Sequence, residues 1–331
     1  MLVKDIETLK EYLPVDFTTK AKTISPAFEV VERNFIVKIL GAALYNKLCA
    51  SIKNANQTSD EKELLEKILP VLAPLSYHAS IASLNTRFTD SGMYTATGGD
   101  KERLPKWHFE EIKLELLTNG YNAIDPLFDF LQNGAGKDWF ADWTKAAFMA
   151  EFKSLFIRNA KEFSDQIDIK DSTWLYLRLK SHIQQAEKLY LRSEIGADFY
   201  NELKGKLLTG LSTDENDLLP LIQGPLAHFA YASALRDPLF RQEMINLSMI
   251  RNDSFNIQQS ESNVNGYFSA MANEKEAIGQ SLLGLLTDEL NLRATSAIFP
   301  TYFNSNKYKG TVATNPSSSY NNATSDGTFF M

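Results

Sequence analysis

The chain has 331 residues, 44% apolar and 11% aromatic, with one cysteine, a net charge of -7 and a pI near 5.3. That length accommodates two domains or one large one, and that apolar content buries a real core. The lone Cys49 excludes an intramolecular disulfide framework and fits a reducing cytoplasm; no apolar run approaches the roughly 18 residues of a membrane span, and the acidic balance argues against non-specific nucleic-acid binding as the main activity.

The opening residues, Met1 to Glu7, lack the basic and apolar regions of a signal peptide. Residues 4–13 read as a short amphipathic helix with Ile6, Leu9 and Leu13 at helical spacing, stopped by Pro14. Ser25-Pro26 opens the next helix, with Ser as the cap and Pro in the first turn. Its stripe runs through Phe28, Val31, Phe35, Ile36, Ile39 and Leu40, and Gly41 stops it. After a polar loop from Lys53, acids at Asp60 and Glu61 begin a third helix that reaches Leu84. Pro70 and Pro74 inside it predict a kink or two helices. Thr86 to Pro105 is turn-rich and reads as a loop with room for a small hairpin. A long helix then spans Lys106 to Leu131, interrupted at Gly120 and bent or broken at Pro126. Asn133-Gly-Ala-Gly-Lys is a break. The aromatic stretch 139–156 suits a helix or short strands equally.

From Ala160 the pattern restarts. Glu32, Gly41, Ala42, Tyr45, Asn46 and Leu48 recur 155 positions later as Glu187, Gly196, Ala197, Tyr200, Asn201 and Leu203. Phe163, Ile167 and Ile169 fall on Leu9, Leu13 and Val15 at an offset of 154, Asp214 to Ala227 follows Asp60 to Ala73, and Ala123-Ile124 recurs as Ala277-Ile278. A register held that long predicts an all-α fold made by tandem duplication of one helical-bundle unit, with units at residues 1–150 and 151–300. The second unit carries a polar insertion at Arg251 to Gly266. Residues 301–331 are rich in Ser, Asn, Thr and Gly and read as an extended tail whose aromatics, among them Tyr302, Phe303, Tyr308, Tyr320, Phe329 and Phe330, are placed to anchor it on a partner.

Signatures of chemistry are missing. The sequence has no Walker loop, no GxGxxG after a strand, no HExxH, no CxxC and no GxSxG. His78, His108, His182 and His228 are scattered and read as structural. Glu110-Glu111 and Asp60-Glu61 read as solvated faces or first-turn acids. Glu32 beside Arg33, and Glu187 beside Lys188, read as helix-surface or interhelical ion pairs. Gly41 and Gly196 read as backbone positions needing positive φ or close approach. Tyr45 and Tyr200 pack on the bundle with the hydroxyl at its edge, as Leu48 and Leu203 pack within it, and Cys49 reads as a buried, inert thiol. No catalytic residue, metal site or cofactor is expected.

The opening Ile6 to Asp16 followed by an amphipathic helix looks like the start of small helical head–tail connector (adaptor) proteins of tailed bacteriophages. Glu32-Arg-Asn, Leu40-Gly-x-x-Leu-Tyr-x-x-Leu48, the Pro-punctuated helix to Leu84, Thr89-Asp-Ser-Gly92 and Tyr121 to Leu131 together resemble a family encoded by phages and prophages of Bacteroidetes in structural-gene neighbourhoods. The resemblance covers roughly residues 1–300 and not the tail, and the second unit lacks the Asp-Ser-Gly motif. It implies a non-enzymatic virion protein: an adaptor at the neck, assembled in the bacterial cytoplasm as a homo-oligomeric, dodecameric ring between the portal protein and the tail or neck proteins. Packaged DNA would pass through the lumen unbound, aided by an acidic lining, with no membrane involved. Asp90, Ser91 and Gly92 of the loop and the tail aromatics are then the expected partner contacts. Two rival expectations stand beside it: another neck, tail-completion or capsid-associated virion protein, and a helical scaffold or enzyme with a site between the two units.

Overall fold

The computed structural model describes residues 2, 11–13, 21–84, 86–89, 92–95, 105–134, 136–241 and 261–310. These residues form an all-α fold with one two-stranded hairpin. In the first half, α1 (Ala21–Val31) runs through a π-helical turn (Glu32–Ile36) into α2 (Val37–Leu40). Gly41 then takes φ 77°, ψ 153° and the chain turns through 117° into α3 (Ala42–Lys53). That backbone pair is open to glycine and strained for any other residue. α4 (Ser59–Leu84) continues unbroken past Pro70 and Pro74. Strands β1 (Thr86–Thr89) and β2 (Gly92–Thr95) pair antiparallel, Thr89 opposite Gly92. α5 (Lys106–Asn122) and α6 (Ile124–Asn133) follow, then a 3-10 turn (Asp138–Phe140), α7 (Ala141–Thr144) and α8 (Ala147–Lys153).

The second half is formed by α9 (Ala160–Ser164), α10 (Thr173–Ala186), a second π-helical turn (Glu187–Leu191), α11 (Arg192–Ile195), α12 (Ala197–Thr209), α13 (Thr213–Arg236), α14 (Glu261–Arg293) and α15 (Pro300–Phe303). Both π turns begin on the recurring glutamate, and Gly196 breaks its helix at φ 86°, ψ 149°. α13 opens on a capping box, with Ser212 and Glu215 each bonding the other's backbone N–H. Thr58 and Glu61 exchange the same two bonds at the start of α4.

Two hydrophobic cores result. One is built from Leu2 to Trp143, the other from Phe152 to Tyr302. They meet where Trp174 of α10 stacks on Tyr121 at 4.4 Å and leans on Phe35 at 5.3 Å. Beside it the Thr173 N–H donates to Asp125 Oδ1 at 2.7 Å.

Several expectations need correction. The helix expected to open at Ser25 begins at Ala21 and takes Pro26 inside it, near enough to the N-terminus that few backbone bonds are lost. The long helix breaks at Ala123 and not at Gly120, because Pro126 then falls in the first turn of α6, where its missing N–H has no partner to lose. Gly120 stays helical, since a Cβ there would stand 2.6 Å from Leu75. Stretch 139–156 is a run of short helices, without strands.

The offset of the last helix also changes. Gly279 packs on Phe229 as Gly120 packs on Leu75, and buried Leu283, Leu286 and Leu290 answer to Ile124, Leu127 and Leu131. These pairs lie 159 apart, against the 154 that sets Ala277-Ile278 on Ala123-Ile124. The same offset pairs Phe140 and Trp143 with Phe299 and Tyr302, all buried. The second hydrophobic core extends past 300 to Tyr302, and α14 begins at Glu261, inside the stretch expected as a polar insertion. The opening helix falls largely outside the described residues.

Candidate functional site

The recurring glutamates are buried and each has specific hydrogen-bond partners. Glu32 and Glu187 are each 2% exposed. Neither pairs with the base next to it, but Glu187 does form the interhelical kind of ion pair, with Lys204. Successive helical residues diverge by about 100°, so the carboxylates turn inward while Arg33 and Lys188 lie exposed. Glu32 Oε1 accepts the Leu2 N–H at 2.8 Å and Oε2 accepts the Tyr45 hydroxyl at 2.7 Å. Glu187 repeats this with the Phe156 N–H at 2.8 Å and the Tyr200 hydroxyl at 3.3 Å. Each carboxylate thus ties a segment about 30 residues upstream to the helix that follows its glycine. Burial, then the carboxylate, pushes the Tyr45 hydroxyl far above its ordinary range; burial and the Glu187 charge do the same to Tyr200. Both tyrosines stay neutral donors.

The two sites differ at the residue after the recurring leucine. Lys204 reaches Glu187 at 2.6 Å and lies over the Phe156 ring. The residue 155 positions before it is Cys49, half-buried in contrast to the buried thiol expected. Leu48 and Leu203 are buried. These clamps suit a structural role: both carboxylates are buried and bonded to a backbone amide and a phenol, with an added ammonium at Glu187.

A second constellation escaped sequence reasoning. His182 Nδ1 lies 3.0 Å from Ser233 Oγ, and its Nε2 lies 3.7 Å from Asp237 Oδ2. His182 and Ser233 border a cleft of about 100 Å³ with Tyr190, Phe229 and Arg236. Burial pushes the His182 pKa down, against the pull of Asp237. Ser, His and Asp in a row suggest acyl transfer, but an oxyanion needs free donors. α13 is continuous from Thr213 to Arg236, so the amides around Ser233 are spent inside the helix, and Arg236 is held by Asn273 and Glu276. Ser233 and Asp237 lie four apart on one helix and His182 lies 51 positions upstream of Ser233; no local pattern announces such a set. Among the described residues no group of three or more His, Cys, Asp or Glu could hold a metal ion.

The expected partner contacts divide. Tyr302 is fully buried, its hydroxyl on Asn291 Oδ1 at 3.1 Å and its pKa pushed up to about 12 by burial. It is core and cannot serve a partner. Phe303 packs half-buried on Tyr308 at 4.7 Å. Gly92 starts β2. Asp90, Ser91, Tyr320, Phe329 and Phe330 lie outside the described residues. No single described helix is long and apolar enough to cross a membrane; the bent pair Ser25–Leu40 and Ala42–Lys53 passes together by length and composition.

The model of a family of unknown function (DUF6712) matches residues 36–152. The match covers less than half of the chain, and it takes in the Gly41 turn, the hairpin and the core through Trp143. No curated protein and no solved structure matches the chain.

Proposed function

We propose that the chain is a tandem duplication of one helical unit and serves as a head-to-tail connector of a tailed bacteriophage, without enzymatic activity. In this reading copies form a ring at the virion neck between portal and tail, and DNA passes through it unbound. The observation that carries it is the doubled clamp. Glu32 and Glu187, with Tyr45, Tyr200 and the two glycine turns, fix two helical bodies in the same internal geometry. A ring adaptor needs such rigid bodies, with arms leaving them to reach neighbours. The hairpin and the chain beyond Gly310 are the arms. The resemblance in Leu40 to Leu48 and Tyr121 to Leu131 supports the same reading. Another virion neck or capsid-associated role would use the same body. The enzyme alternative has weaker support, because the amides around Ser233 are spent inside α13.

Capture by the portal protein encoded in the same genome tests the proposal. Full-length protein should be retained, and a chain ending at Gly310, which keeps Tyr302 in its core, should be retained less. Absence from purified particles together with no capture would remove the connector reading.

A further inference from the structure

His182, Ser233 and Asp237 belong to the second half alone. In the duplication proposed above, α10 follows α1 at an offset of 155, fixed by the glutamates that begin the two π turns. α13 follows α4 at 154, fixed by their paired caps. Those offsets set the three residues on Ala27, Ala79 and Ser83. A unit that packs with alanine at two of these positions does not need an imidazole and a hydroxyl there for its fold.

His182 and Asp237 are each held by one of their two polar atoms. His182 Nδ1 lies 3.0 Å from Ser233 Oγ, and Asp237 Oδ1 accepts the Leu239 N–H at 2.8 Å. The two remaining atoms, His182 Nε2 and Asp237 Oδ2, face each other at 3.7 Å. A hydrogen bond does not span that distance, since N–H···O contacts run to about 3.2 Å. A shared Zn2+ does: two bonds of about 2.1 Å at a near-tetrahedral angle set their ligand atoms roughly 3.4 Å apart. One ring nitrogen oriented by an outer partner and the other left to the ion is the usual arrangement of a metal-binding histidine. Burial pushes the His182 pKa down, which favours the neutral ring that a metal requires. The His182 side chain is 14% and that of Asp237 36% exposed, so a hydrated ion reaches the pair and keeps water in its other positions. Arg178 opposes a cation here, while Arg236 is held by Glu276 and Asn273; together with the count of two protein ligands this makes the site a weak, exchangeable one.

We propose that His182 Nε2 and Asp237 Oδ2 bind a divalent ion of the zinc class and so tie α10 to the C-terminal end of α13. A nitrogen with a carboxylate suits Zn2+, Co2+ or Ni2+, whereas Mg2+ and Ca2+ take oxygen ligands.

Full-length protein, freed of metal with a chelator, is titrated with ZnCl2 alone by calorimetry at about pH 7.5, where the imidazole is neutral, with MgCl2 as the comparison. The expected result is one Zn2+ per chain with a Kd below about 100 µM and no binding of Mg2+. His182→Ala with Ser233→Ala installs the residues of the first half, so the circular dichroism spectrum should stay unchanged while zinc affinity falls at least about tenfold. Asp237→Asn, whose amide oxygen still accepts the Leu239 N–H, should weaken binding as much. Cys49→Ser should leave zinc affinity as it was, because Cys49 packs against the first core. Binding that survives either the histidine or the aspartate change, that is lost with Cys49→Ser, or that fails to saturate below about 1 mM zinc overturns the proposal. None of these results bears on portal capture, so the ion site and the neck role stand or fall separately.

Discussion

Gly196 sits at φ 86°, ψ 149°, and a Cβ there would meet nothing closer than Lys307 Cγ at 3.5 Å. Space is available, so the penalty of Gly196→Ala is backbone strain alone, about 1–3 kcal/mol. Gly41→Ala should cost more, because its Cβ would also approach the Ala146 Cβ at 3.0 Å. Urea titration of both variants measures this; a neutral Gly41→Ala would mean the turn does not need glycine. Glu187 is a second point of strain if disturbed. Glu187→Gln leaves Lys204 without its carboxylate in a mostly buried setting, and breaking such a pair costs on the order of 3 kcal/mol. Adding Lys204→Met should recover part of that loss, so the double variant should be more stable than the sum of the two single changes predicts.

At the scale of elements, the position of Lys204 in the second clamp is taken by Cys49 in the first. If the clamps are equivalent, Cys49→Lys brings an ammonium to Glu32 and stabilises the first half by about 1 kcal/mol. A fall in melting temperature would show that the two sites differ in shape. Much of this was legible in the sequence: helices, glycine breaks, and the spacing of Glu, Gly and Tyr. What was not legible has a common physical cause. Glu32 followed by Arg33 reads as a surface pair, since nothing local reveals that a backbone amide about 30 residues away claims the carboxylate. The π turns have no sequence signature of their own. The offset of the last helix was misjudged by five because amphipathic patterns match at several registers, and the fit of Gly120 on Leu75 and Gly279 on Phe229 is a tertiary fact. Tyr302 reads as tail because its neighbours in sequence are polar, yet it is buried in the second core.

For the whole molecule, three half-buried or buried histidines set the response to acid. Burial holds His78, His182 and His228 below the ordinary histidine range. The unfolded chain therefore takes up protons first as pH falls through about 6.5, and stability that is complete above that pH is lost below it. Asp125 works the other way in the carboxylate range, since burial raises its pKa. The melting temperature should drop between about pH 7.5 and about pH 5.5, and less so in a His182→Gln, His228→Gln protein; an equal drop would assign the effect to other groups.

The central claim is that two clamped helical bodies form one subunit of a neck ring. Electron microscopy of the purified protein mixed with the portal protein from the same genome tests it most directly. The account predicts closed rings stacked coaxially on portal particles, with each subunit showing two similar helical lobes. Isolated monomers beside bare portals would contradict it.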